Sequence, residues 1–256
     1  MTATRRTVLG LGLTATCSWL TANPLSDLID AAKPSVCAVG SFNALDSPRF
    51  RFRGTGFFVG DGSIVATCWH VLPDMTAETR PGISRLAIQI VGPDGELGVR
   101  EAELLSSDRQ HDLALLRLKD GPGPPVRLAP AGTAREGADV ALIGFPIGGV
   151  LGFKPVTHRG IIASIVASAL PALAARQLNE GSVTRLREGS FELLQLDATA
   201  YPGNSGGPLF DVATQQVVGI VNMVLIKGNR ESALSQPTGI TYAVPVRYLL
   251  ELLARS

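Results

Sequence analysis

Ser205 lies in YPGNSGGPLFD, Tyr201 to Asp211, where glycine and proline crowd around one hydroxyl. Glycine is costly to order, so such a cluster marks tight turns or a close approach of backbone to another group. A surface turn between strands has this composition. So does a nucleophile loop, in which backbone N–H groups converge on an oxygen that becomes negative during reaction. The second reading needs a base for the serine and a third group that fixes the base's tautomer. His70 is the leading base, because it ends the apolar run SIVATCWHVL, where a side chain can reach a cleft. Asp112 opens the short apolar run DLALLRL and supplies the acid. Singly, the histidine reads as a core or surface residue and the aspartate as a strand cap. Together the three have the parts of acyl-transfer chemistry.

The elements that must carry them are short strands. Hydrophobic residues make up 45% of the 256-residue chain and charged ones 18%, which suits one compact core or two small ones sharing an interface. Gly 28 and Pro 17 are high counts for a helical protein and fit many turns between strands. SVCAVGSF reads as a buried strand, and RFRGTGFFVGDGSIVATCWHVL as two strands joined by a hairpin at Asp61-Gly62. SRLAIQIVGPDGELGVREAELL reads as another pair, around Asp94-Gly95. DLALLRL follows as a continuous apolar strand, and KDGPGPPV, Lys119 to Val126, is a break between two halves. The second half offers strands at ADVALIGFP, HRGIIASIV, FELLQLDA, QQVVGIVNMVLI and GITYAVPV, with a less regular, partly helical segment between Ala167 and Gly189. RYLLELLARS, after Pro245, has helical spacing. The expectation is an all-β chain in two antiparallel lobes, about 32–120 and about 126–245, closed by a helix over 246–256.

Lys and Arg number 23 against 22 Asp and Glu, a balance that gives no electrostatic argument for a nucleic-acid or membrane partner. MTATRRTVLGLGLTATCSWLTA, residues 1–22, has a basic start, an apolar stretch from Val8 and a small residue at Ala22, and reads as an export signal. Arg5 and Arg6 give it a twin-arginine look, with a Sec signal as the alternative route. The mature chain, 23–256, is then periplasmic or secreted. The apolar stretch from Ile161 to Ala175 carries Ser164, Ser168 and Pro171 and falls short of the ~20 residues of a membrane span. Cys37 and Cys68 can pair in an oxidising compartment or serve as small buried apolar residues. No CxxC and no zinc spacing of histidines occurs, so no metal and no cofactor is expected.

In sequence order the histidine, aspartate and serine resemble the chymotrypsin-like serine proteases, and most closely their HtrA/Deg branch. GTGFFVGDGSIVATCWHVL is similar to that branch's histidine block, DRQHDLALLRL to its aspartate block, YPGNSGGPLF to its serine block, and GITYAVPVRYLLELL to its last strand and helix. The resemblance runs from about Ala32 to Leu253 and implies two six-stranded-type β-barrels with a short C-terminal helix. It implies His70 as general base, Asp112 as its orienter and Ser205 as nucleophile. The oxyanion hole is expected at Gly203, Asn204 and Ser205, through the Gly203 and Ser205 amides. It implies a substrate pocket lined by Thr199, Ala200, Tyr201, Ile220, Val221, Asn222 and Tyr242. Thr199 stands where trypsin-like enzymes place a carboxylate, and no histidine stands in these segments, so apolar side chains are the expected guests.

Three departures bear on function. Asn204 replaces the aspartate that pairs with a new N-terminal amine in digestive relatives, Cys68 and Trp69 replace small polar residues, and Tyr201 replaces asparagine. No PDZ domain is expected beyond the terminal helix. The partners expected are protein or peptide substrates, cut by an exported serine endopeptidase. A catalytically idle binding or chaperone protein on the same fold is the alternative.

Overall fold

The computed structural model describes residues 23–73, 84–92, 95–146, 153–167, 191–223 and 239–256. The expected signal, most of the irregular segment after Ala167, and Val224 to Ile226 of one expected strand lie outside them.

Twelve strands form two closed barrels among the described residues. The first holds β1 (Val36–Phe42), β2 (Phe50–Val59), β3 (Ile64–Cys68), β4 (Arg85–Val91), β5 (Leu97–Asp108) and β6 (Leu113–Leu118), in the order β1-β2-β3-β6-β5-β4. The second holds β7 (Asp139–Gly144), β8 (Val156–Ala167), β9 (Glu192–Asp197), β10 (Pro208–Asp211), β11 (Gln216–Asn222) and β12 (Ile240–Pro245), in the order β10-β11-β12-β9-β8-β7. The two antiparallel lobes match the expectation from the apolar runs, and their closure into six-stranded barrels matches what the resemblance to chymotrypsin-like proteases implies.

Local chemistry explains the hairpin that leads to His70. Asp61 accepts from the Ser63 N–H at 2.9 Å and from its hydroxyl, and Gly62 takes φ 88, which a side chain would resist. A Cβ on Gly62 would also stand 2.0 Å from the Gly123 carbonyl oxygen, where the crossover segment passes under the turn. The buried residues of both barrels are mainly apolar. Phe57, Phe58, Leu113, Leu115 and Leu116 are fully buried on strands of the first barrel, and Leu142, Ile143, Ile162, Leu194 and Phe210 on those of the second.

Among the described residues two α-helices flank the barrels. Helix α1 (Pro24–Ala32) is an element the sequence reading passed over: Asn23 caps it, accepting from the Leu25 N–H at 3.2 Å, and Pro24 sits at its start. It buries Leu28 and Ala32 in the core. Helix α2 (Val246–Arg255) is the expected terminal helix, with Val246, Tyr248, Leu249 and Leu252 on its buried face. Among the described residues no helix is long and apolar enough to cross a membrane.

Candidate active site

His70 lies in a 3-10 turn, Trp69–Val71, directly after β3, and Asp112 just before β6. β3 and β6 are paired, Cys68 opposite Leu113, so the two side chains emerge at the same end of the first barrel. Asp112 adopts φ 55, a left-handed conformation uncommon outside glycine and tolerated best by Asn and Asp. The strained turn has a use. The Asp112 carbonyl accepts from the Trp69 N–H at 3.0 Å while its carboxylate folds back over the same turn. Oδ1 accepts from the His70 N–H at 2.9 Å, and Oδ2 lies 2.5 Å from His70 Nδ1. A carboxylate against Nδ1 keeps the proton there and leaves Nε2 as the basic nitrogen.

Asp112 has a further donor that sequence reasoning did not assign. Asn222, at the end of β11, donates from Nδ2 to Asp112 Oδ2 at 2.8 Å and is 1% exposed. Its carboxamide, expected in the pocket wall, is turned inward to the acid. Val221, the neighbour of Asn222 in β11, was expected in the same wall. Its N–H donates to the Gly207 carbonyl at 2.9 Å, its carbonyl accepts from the Gly206 N–H at 2.8 Å, and its side chain is wholly buried behind the serine loop.

The serine loop is a turn with defined chemistry. Asn204 N–H donates to the Tyr201 carbonyl at 3.0 Å, with Pro202 and Gly203 between them and Gly203 at φ 105. Proline at the second position and a positive φ at the third make a type II turn. A Cβ on Gly203 would stand 2.3 Å from the Phe145 carbonyl oxygen, so the position has no room for a side chain either. Of the three expected oxyanion residues, Gly203 and Ser205 were to supply the donors, and the backbone N–H of Asn204 between them closes the turn. Among the described residues no acceptor meets the N–H of Gly203 or Ser205. The Ser205 hydroxyl accepts from the Met223 N–H at 3.3 Å, and no hydrogen bond joins it to His70. Catalytic hydrogen bonds in unliganded sites are often long or unformed.

The structure places Thr199 and Tyr201 half-buried before the turn, Ala200 buried between them, Ile220 fully buried on β11, and Tyr242 half-buried on β12 opposite Asn222. β8 adds a residue that the segment-by-segment reading missed. The His158 ring lies 5.7 Å from that of Tyr201, and its Nε2 is buried without a partner. Burial holds this imidazole below its usual range, so it stays neutral near pH 7.

Cys37 and Cys68 are free thiols, both fully buried. Burial pushes both up well above the usual thiol range, and for Cys68 the Asp112 carboxylate adds to the shift. Ligand atoms of Cys68, His70 and Asp112 lie within 4.8 Å of one another. As a metal site the set is poor, because the thiol keeps its proton and directs it to the Val221 carbonyl at 3.4 Å.

A Trypsin-like peptidase domain model matches residues 54–220. The chain belongs to the trypsin-like peptidase family. Among curated members of this kind, Serine protease HTRA3 of Homo sapiens is 26% identical over 239 residues, 90% of this chain and 45% of that protein. A Probable periplasmic serine endoprotease DegP-like of Pseudomonas fluorescens is 27% identical over 199 residues, 78% of this chain and 34% of that protein. The trypsin-like peptidase chain described here thus spans less than half the length of either relative. The crystal structure of Deg5 superposes with a TM-score of 0.62 at 19% identity, covering 89% of this chain and 91% of that one, a likeness of fold.

Proposed function

We propose that this trypsin-like peptidase is an exported serine endopeptidase that cuts exposed or unfolded protein segments through an acyl-enzyme. The observation that carries the reading is the grip of Asp112 on two nitrogens of His70, the backbone N–H at 2.9 Å and Nδ1 at 2.5 Å. A histidine so fixed serves one purpose well: Nε2 removes the Ser205 proton as Oγ bonds to a substrate carbonyl carbon. The carbonyl oxygen becomes anionic between the Gly203 and Ser205 amides, which have no other acceptor among the described residues. His70 then returns the proton to the leaving amine, the C–N bond breaks, and a water activated by the same nitrogen hydrolyses the ester.

The residue before the cut would enter a pocket at Thr199 to Tyr201, Ile220 to Asn222 and Tyr242. A neutral His158 behind Tyr201 offers no cation to an acidic guest. Burying an aliphatic side chain contributes roughly 1–3 kcal/mol, whereas an unpaired charge there is costly. Cleavage is therefore expected after Val, Ala or Leu. Export follows from the signal-like residues 1–22 together with the periplasmic naming of DegP-like relatives.

The Met223-bound Ser205 hydroxyl is the observation that an idle binding protein would draw on. Digestion of denatured casein separates the two. Cuts after small and medium apolar residues, absent with Ser205→Ala, are expected. Intact casein with the active-site sequence unaltered would overturn the enzyme, and cuts after Lys, Arg or Glu would overturn the pocket.

A further inference from the structure

The geometry points to Thr55, on β2 of the first barrel, as the positioning residue that holds the oxyanion loop of the second; the inference rests on the endopeptidase reading above. Thr55 is fully buried and all of its polar groups are engaged. Its hydroxyl donates to the Gly203 carbonyl at 2.7 Å and accepts from the Phe145 N–H at 3.0 Å. Its N–H donates to the Ser205 carbonyl at 2.8 Å. Its carbonyl accepts from the Thr67 hydroxyl at 2.7 Å, on the strand that leads to His70. The carbonyls on both sides of Asn204 therefore point at one residue of the other lobe.

This matters because of where the donors sit. The Gly203 N–H precedes the 203–204 peptide and the Ser205 N–H follows it. That peptide is fixed at both ends, its N–H on the Tyr201 carbonyl at 3.0 Å and its C=O on the Thr55 hydroxyl. Glycine has no side chain to bar a rotated backbone, so Gly203 cannot enforce its own orientation. The threonine hydroxyl supplies the missing restraint. Gly206 closes the assembly from below, since a Cβ there would stand 2.1 Å from the Thr55 carbonyl oxygen and 2.4 Å from Thr67 Oγ1.

Thr55 touches neither substrate nor reacting atoms, so its loss should act through the donors, which work only in the transition state. Thr55→Val keeps the branched shape and removes the hydroxyl. Removing an oxyanion donor outright lowers kcat by about 100- to 1000-fold, and a donor left in place but loosened should lose about 10- to 100-fold, with KM changed less than about twofold. Thr55→Ser restores the hydroxyl and should return kcat to within about threefold of wild type. Steady-state kinetics on a peptide amide, with circular dichroism to confirm folding, provides the test. If Thr55→Val does not fold, Thr55→Cys carries it, its weak S–H donor giving an intermediate kcat. A folded Thr55→Val with kcat within about twofold of wild type overturns this inference alone. So do equal losses in Thr55→Val and Thr55→Ser, or a loss confined to KM. A wild type without turnover overturns the endopeptidase reading, and this inference with it.

Discussion

Asn222 reaches from β11 of the second barrel to Asp112 of the first, its amide 2.8 Å from Oδ2. That oxygen also lies 2.5 Å from His70 Nδ1, so the acid is held between a base on its own lobe and a donor on the other. The site is assembled only when the lobes meet, which makes the lobe interface part of the chemistry.

Removing this donor should therefore slow the reaction without weakening substrate binding. A hydrogen bond to a charged group contributes roughly 1.5–3 kcal/mol, which corresponds to a kcat lower by about 10- to 100-fold in Asn222→Ala. Asn222→Asp should be worse, because two carboxylates would then face each other and share a proton. Kinetics on one peptide substrate checks both. An Asn222→Ala chain with unchanged kcat would show the contact to be idle.

The segment leading to Asp112 is pinned to helix α2. His111 stacks on Tyr248 with ring centroids 3.9 Å apart, and Asp108 accepts from His111 Nδ1 at 2.8 Å and from Arg255 at 3.1 Å. Burial alone would push the Asp108 carboxyl up, but hydrogen bonds and charge from His111 and Arg255 outweigh it and hold it below the usual range. A carboxyl lowered on folding contributes stability above its unfolded value of roughly 3.9, and that stability is lost as pH falls through the folded value. Asp108→Asn should be less stable than wild type at pH 7 by on the order of 1 kcal/mol after solvent screening. The gap should narrow as the solution is acidified below pH 4. Urea melts at several pH values decide it, and a gap that widens in acid contradicts the assignment.

How much of this was readable beforehand follows from how local each signal is. The barrels were legible because their strands are bounded by neighbours in sequence, as at Asp61-Gly62 and in the run from Asp112 to Leu118. Ser205, His70 and Asp112 were legible as types in order. Thr55, Asn222 and the neighbour of Tyr201, His158, were not, because each acts on a partner far along the chain that only barrel closure brings near. That the Asn204 N–H closes a type II turn was not legible either, because composition does not reveal which amide a turn uses internally. Helix α1 carried a readable signal, an Asn-Pro start, that the sequence reading passed over.

The two cysteines are expected to stay reduced. Denatured without reductant, the chain from Asn23 onward should titrate two thiols, Cys37 and Cys68. In the native state neither should react with a thiol reagent at neutral pH, since both are fully buried and held protonated. Fewer than two thiols after denaturation would contradict the free state.

Labelling with a fluorophosphonate tests the central claim most directly, because the probe bonds covalently only to an activated serine. The account predicts one adduct per native chain, mapped to Ser205 by peptide mass. Labelling should be lost in Ser205→Ala, in His70→Ala and after denaturation, and strongly slowed in Asp112→Asn, where the base loses its fixed tautomer. An unlabelled native chain, or an adduct that persists in His70→Ala at the wild-type rate, would contradict it.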